Sequence, residues 1–170
     1  MGGRVVWELV QLAGKRIERI AVMDSGVHGV APGEKEKRAL LLEAARNKGL
    51  QAVADAWIGP MLHPQHHDDA SLIDAITTMI LGYSVEEYAG QVAALLGRED
   101  RSQLLTAIEQ KVWLLVGDKD NWSPVSQHQH MQTLLAHSEL RIIRDAGHMS
   151  TMEQPEAVSS LLLEGLQDSL

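Results

Sequence analysis

The sequence predicts an α/β fold with about three parallel strands, flanking helices and a helical insertion. Three observations predict it. Short β-type segments alternate with helical ones towards both ends of the chain, the order that builds parallel sheets through crossover connections. Val112-Trp113-Leu114-Leu115-Val116 is apolar without alternation and is bounded by turn residues, as suits a strand buried on both faces. From Ala31-Pro32-Gly33 to about Gln110 the chain reads as helix after helix, too much helix for a simple connection.

Each element follows from its residues. Arg4 to Ala13 carries apolar positions at spacings of three and four and reads as a buried helix. Gly14 and the basic pair Lys15-Arg16 stop it. Ile17 to Met23 is the first strand and ends at Asp24-Ser25-Gly26. In the helical block, polar turns fall at 47–49, 63–69 and 97–100, and Ser84-Val85-Glu86-Glu87 fits a capping box. Glu34-Lys35-Glu36-Lys37 reads as the exposed first turn of a helix. Lys111 to Gly117 is the second strand, Val125 to Ala136 an amphipathic helix, and Leu140 to Arg144 the third strand. Pro155 opens the last helix, as suits a first turn.

Composition narrows the function. The 170 residues are 45% hydrophobic and 22% charged, within the range of globular chains that bury one core. A net charge of −8 repels polyanions, so nucleic acid is not an expected partner. No apolar run approaches the roughly 20 residues a membrane helix needs, and the first residues form no signal-peptide pattern. No membrane association and a cytoplasmic location are the expectations. The absence of Cys removes disulfides, thiolate nucleophiles and Cys-ligated zinc.

In open parallel sheets the working residues sit in loops at the carboxyl ends of strands. Here those loops offer Asp24, then Asp118 and Asp120, then His148. An acid on one loop and a His on the next could form the orienting pair of a nucleophilic hydrolase. Taken singly, such an Asp is usually a cap or turn former and such a His usually structural or solvated.

The order of these segments resembles the carboxyl-terminal part of the α/β-hydrolase family. Val112 to Gly117 with Asp118-Lys119-Asp120 is similar to the strand and turn that carry the family's triad acid, three residues after the Gly. Asp145-Ala146-Gly147-His148-Met149 followed by Glu153-Gln154-Pro155-Glu156 is similar to its catalytic-His loop and last helix. Met1-Gly2-Gly3-Arg4 resembles the residues directly after the nucleophile in a G-x-S-M-G-G elbow. The resemblance implies His148 as general base, Asp120 as the acid that orients it, Asp24 as an alternate acid and the backbone N–H of Met1 as an oxyanion donor. It implies a hydrolase core in 1–31 and 111–170 with a cap, or lid, in 32–110, acting on a small-molecule ester or lactone without a cofactor.

The resemblance also implies a nucleophilic Ser immediately before Met1 and further strands upstream. None of the serines present stands in a G-x-S-x-G context, Ser25 in Asp24-Ser25-Gly26 coming nearest. The chain by itself is therefore expected to be a truncated, inactive hydrolase, or else a non-catalytic binding or assembly module that reuses the fold. Loss of the neighbouring strand would expose an edge at Ile17 to Met23, and homo-oligomerisation or aggregation through it is expected.

Trp57 and Met61 in the cap and Trp122 beside the acid are candidates for a substrate pocket, as are Leu62, Met79 and Tyr83, although apolar residues at helical spacing more often belong to a core. His63-Pro64-Gln65-His66-His67-Asp68-Asp69 packs five potential metal ligands into seven residues, yet without the His-x3-His spacing of a helical site it reads as a polar turn, and no metal is expected. His128, His130 and His137 read as a solvated helix face.

Overall fold

The computed structural model describes residues 1–167. Residues 168–170, the end of the segment 111–170, lie outside the described residues. Helix α1 (Gly2–Ala13) passes through a 3-10 turn at Gly14–Arg16 into strand β1 (Arg19–Met23). Helices α2 (Glu34–Lys48), α3 (Gln51–Met61), α4 (Ala70–Leu81), α5 (Val85–Leu96) and α6 (Ser102–Leu105) follow. Then come β2 (Lys111–Gly117), α7 (Val125–Leu134), β3 (Ser138–Ile143), the short α8 (Ser150–Glu153) and α9 (Pro155–Gln167). The expected capping box is present: Ser84 Oγ accepts the N–H of Glu87, and the Glu87 carboxylate accepts the N–H of Ser84.

The three strands form one parallel sheet in the order β1-β2-β3. Arg19 to Met23 pair with Lys111 to Leu115, and Val112 to Gly117 pair with Ser138 to Ile143. Strand β2 is central and buried on both faces, which is why its sequence does not alternate. Val112 and Leu114 join Trp7, Val10, Ile20, Val22 and Met131 in a core under α1 and α7. Trp113 and Leu115 join Ile143, Ala146 and Val158 under α9.

The residues of α2 to α5 build a third cluster around Ala45, Val53, Ile76, Tyr88 and Val92. Trp122, Met149 and Met152 pack against it, so the loops after β2 and β3 meet this helical block directly. Its two chain connections are clamped together. Arg98 holds Glu34 through two nitrogens and reaches the carbonyl of Gly29, while Arg38 holds the same Glu34. Glu34, expected on an exposed turn, is thus partly covered and paired, and the two arginines hold its carboxyl down at about 2 against some burial.

Among the described residues, a strand edge and an apolar helix face are open. Strand β1 pairs on one side only. Val5, Leu9 and Leu12 of α1 are exposed at about half or more of their surface and recur at helical spacing. Among the described residues, no helix is long and apolar enough to cross a membrane.

Candidate active site

Strand β2 ends at Gly117, where the chain must pass against the loop that follows β3. A Cβ on Gly117 would overlap the carbonyl oxygens of Ala146 and Gly147, so only glycine allows this approach. Asp118 N–H donates to Ile143 O at 2.9 Å, and Lys119 N–H donates to Ala146 O at 3.0 Å. The turn 117–120 and the loop 145–148 are thereby fixed to one another. Asp145 turns that loop with a positive φ of 57°, a conformation Asp tolerates better than most residues.

This framework brings Asp120 and His148 together. His148 Nδ1 stands 2.9 Å from Asp120 Oδ2. The other oxygen, Oδ1, accepts the N–H groups of Trp122 at 2.7 Å and Ser123 at 2.9 Å. The Asp120 side chain is fully buried, while that of His148 keeps 22% of its surface. Burial works against ionisation of Asp120, but the His148 hydrogen bond and charge and the two backbone donors outweigh it and hold the carboxyl below its ordinary value. An ionised Asp120 accepts a hydrogen bond from Nδ1–H, which fixes the proton on Nδ1 and leaves the lone pair on Nε2. Nε2 makes no hydrogen bond among the described residues.

Asp24 occupies the carboxyl end of β1, also with a positive φ, 47°. Its Oδ1 accepts the N–H of Gly117 at 2.9 Å and its Oδ2 accepts the hydroxyl of Ser150. Both oxygens are engaged away from His148, so the structure pairs His148 with Asp120 and not with the alternate acid. Burial pushes the Asp24 carboxyl up to about 6, against the help of Ser150 and Gly117, and the nearby Asp120 charge adds to the rise.

This shift makes stability depend on pH. The folded-state value lies above the ordinary carboxyl value near 3.9, so Asp24 contributes stability that is present below about pH 4 and lost as pH rises through about 6. Asp24→Asn keeps an acceptor for Gly117 and cannot ionise. Relative to the parent, this variant is expected to gain about 2 kcal/mol of stability between acid and neutral pH. Urea unfolding across that range measures it, and a parent-to-variant difference independent of pH would contradict it.

The amino end of α1 reaches the same edge of the sheet. A Cβ on Gly3 would overlap Ser25, the residue after Asp24, so Met1 to Gly3 lie beside the end of β1. Met1 itself is 56% exposed. His128 corrects the reading of a solvated histidine face: it is fully buried, with Nε2 accepting the N–H of Ser25 at 3.4 Å and Nδ1 facing Pro124 O at 3.3 Å. His130 and His137 are exposed. Burial lowers the His128 value.

The three pocket candidates converge, by different means. Trp57 stands edge-on to Tyr88 at 5.6 Å and to Trp122 at 5.2 Å. Trp122 in turn lies 5.0 Å from the His148 ring. Met61 is buried in the helical block and meets the site through its backbone, its carbonyl accepting the His148 N–H at 2.7 Å. Leu62 is buried, whereas Met79 and Tyr83 are exposed on the outer face.

The histidine-rich turn makes one further cluster. His63, Asp118 and Asp145 place a ligand atom each within 4.8 Å of one another. His63 Nδ1, however, accepts the N–H of Gln65 at 3.1 Å. In the neutral ring the proton then sits on Nε2, which faces Asp118 at 3.9 Å. That tautomer suits an Asp partner and not a metal ion.

Sequence reasoning missed Ser150 and assigned no role to Glu153. Both are buried polar residues that anchor the His148 segment: Glu153 accepts the Gly147 N–H, and the Ser150 hydroxyl donates to Asp24. Their signal was local: a hydroxyl and an acid within five residues of His148 in a stretch otherwise poor in charge.

No family model matches the chain, and no curated protein sequence matches it. Solved structures do. A thermophilic esterase from Thermogutta terrifontis, in a malate-bound form, is similar with a TM-score of 0.91 and 28% identity over 98% of this chain and 61% of its own. An enol-lactonase from Burkholderia xenovorans gives 0.87 and 22% over 99% of this chain and 63% of its own. A hydrolase from Pseudomonas aeruginosa gives 0.85 and 22% over 97% of this chain and 61% of its own. The chain thus spans a little over three-fifths of the length of the proteins it matches. By strand order, helix placement and these matches, the chain has the α/β-hydrolase fold, of which it carries the carboxyl-terminal part.

Proposed function

We propose that this chain supplies the acid–base half of a serine hydrolase that cleaves carboxylic esters or lactones. The observation that carries the reading is the His148 Nδ1 to Asp120 Oδ2 contact of 2.9 Å, made between loops at the carboxyl ends of adjacent parallel strands, with Nε2 left unbonded beside Trp122. The similarity to an esterase and an enol-lactonase supports the substrate class.

In this reading a Ser outside the 170 residues attacks the substrate carbonyl while His148 Nε2 takes its proton. The backbone N–H of Met1 is one donor to the oxyanion that forms. His148 then returns the proton to the leaving alkoxide, which departs as the alcohol. Water attacks the acyl-enzyme with His148 again as base, and the acid product leaves as the Ser regains its proton. Asp120 stays ionised throughout and holds the imidazole. Trp122, against the His148 ring, and Trp57 behind it are the side chains placed to contact the acyl group.

The test is to compare the 170-residue chain with one extended by the coding sequence upstream of Met1. The extended protein is expected to hydrolyse a chromogenic ester and to be labelled by a serine-directed phosphonate, and the shorter chain to do neither. A second reading, a non-catalytic assembly module, is favoured by the unpaired edge of β1 and the exposed stripe Val5, Leu9 and Leu12. Silence of the extended protein in both assays would reject the hydrolase reading and leave the second.

A further inference from the structure

Glu153 is a buried acid that the dyad does not use. It closes α8 and is 7% exposed. Its Oε1 accepts the N–H of Gly147 at 2.8 Å and of Met149 at 3.2 Å, and its Oε2 accepts the N–H of His63 at 2.6 Å. The first two donors flank His148. The third lies just beyond the carboxyl end of α3, in the helical block.

The loop changes partners at this point. Ala146 is bonded to the turn after β2, through Lys119 N–H and Asp118 Oδ1. From Gly147 onward the bonds run to Glu153 and to the end of α3, including His148 N–H to Met61 O at 2.7 Å. A Cβ on Gly147 would overlap Met61 O and His63 N, so the two backbones are in direct contact. Ser150 returns the loop to the core through Asp24. Asp120 is therefore held by the sheet, whereas the backbone that carries His148 is held by Glu153 and by the end of α3, to which Glu153 is itself bonded. Three N–H groups from two segments converge on one side chain, which requires an acceptor-only carboxylate. Bonds of this charge-assisted kind are stronger than neutral ones.

We propose that Glu153 is a positioning residue that couples the cap helices to the base, so that displacement of the end of α3 moves His148 relative to Asp120. The proposal rests on the reading of His148 as base. Its test needs no turnover, so its failure is distinct from failure of that reading.

The backbone offers a selective way to cut the tie. His63 has φ −62°, the angle proline imposes, and Leu62 before it is extended, as a residue before proline must be. His63→Pro removes the single N–H that Glu153 accepts from the cap. His63→Ala keeps that N–H and loses only the imidazole. In the 170-residue chain, NMR is expected to show the Nδ1 proton of His148 weakened and its titration midpoint displaced in H63P, with both as in the parent in H63A. Glu153→Gln, which sets an NH2 against at least one donor, is expected to speed amide exchange at His63, Gly147 or Met149 about tenfold and to perturb His148 as H63P does. Glu153→Asp, which restores the charge, is expected to recover part of the parent signal. An unchanged His148 in folded H63P or E153Q would overturn the proposal, as would equal perturbation by H63P and H63A. Should either H63P or E153Q fail to fold, the other decides.

Discussion

Replacing His148 by Ala in the upstream-extended protein is expected to lower ester turnover by about 10⁴- to 10⁶-fold, the loss seen when the base of a nucleophile–base unit is removed. The size follows from the geometry. Among the described residues, His148 is the imidazole that combines a buried carboxylate partner on Nδ1 with a partly open ring and an unbonded Nε2. His128, a buried histidine at this edge of the sheet, has its Nε2 occupied by the Ser25 N–H and cannot substitute. Residual activity in H148A would come from oxyanion donors and binding alone. Steady-state hydrolysis of a chromogenic ester measures the loss, and a decrease under about tenfold would remove His148 from the reaction.

Asp120→Asn is the second large effect, expected at about 10⁴-fold in kcat with little loss of fold. An Asn at this position can keep its oxygen on the Trp122 and Ser123 N–H groups, since both bind Oδ1. Its NH2 would then face His148 Nδ1. The imidazole must offer Nδ1 as acceptor and place its proton on Nε2, the wrong tautomer for a base. Asp24→Asn serves as the contrast: its oxygens face Gly117 and Ser150, so turnover is expected to stay within a few-fold of the parent. Equal losses in D120N and D24N would show that both carboxylates support His148.

The elements of this fold were largely legible because each carries a local signal. Strand β2 announces its double-sided burial by unbroken apolarity. Ser84 and Glu87 announce the start of α5, and the Pro at 155 announces α9. Boundaries moved where tertiary contacts decide them. Strand β1 begins at Arg19 and not at Ile17, because Gly14–Arg16 winds into a 3-10 turn, and β3 extends back to Ser138 to pair with Val112.

Individual side chains were less legible when their role depends on what packs over them. His128 shares a face with Met131 and Leu135, both buried, and the spacing of three and seven was present in the sequence. Its polarity argued for solvent, whereas the Ser25 N–H and Pro124 carbonyl satisfy it inside. Glu34 likewise sits in a run of exposed charges, and only the return of the chain at Arg98 covers it. Asp120 and His148 could be matched to one another by motif order. The work of Glu153 could not, because its third donor, the His63 N–H, comes from 90 residues away.

The pairing of base and orienting acid turns on one proton. Nitrogen-15 NMR of the His148 side chain, in the 170-residue chain and in its D120N variant, locates it without any substrate. The neutral ring is predicted to carry its proton on Nδ1 in the parent and on Nε2 in D120N. A parent ring protonated on Nε2, or the same tautomer in both proteins, would contradict the assignment of His148 and Asp120 as base and orienting acid.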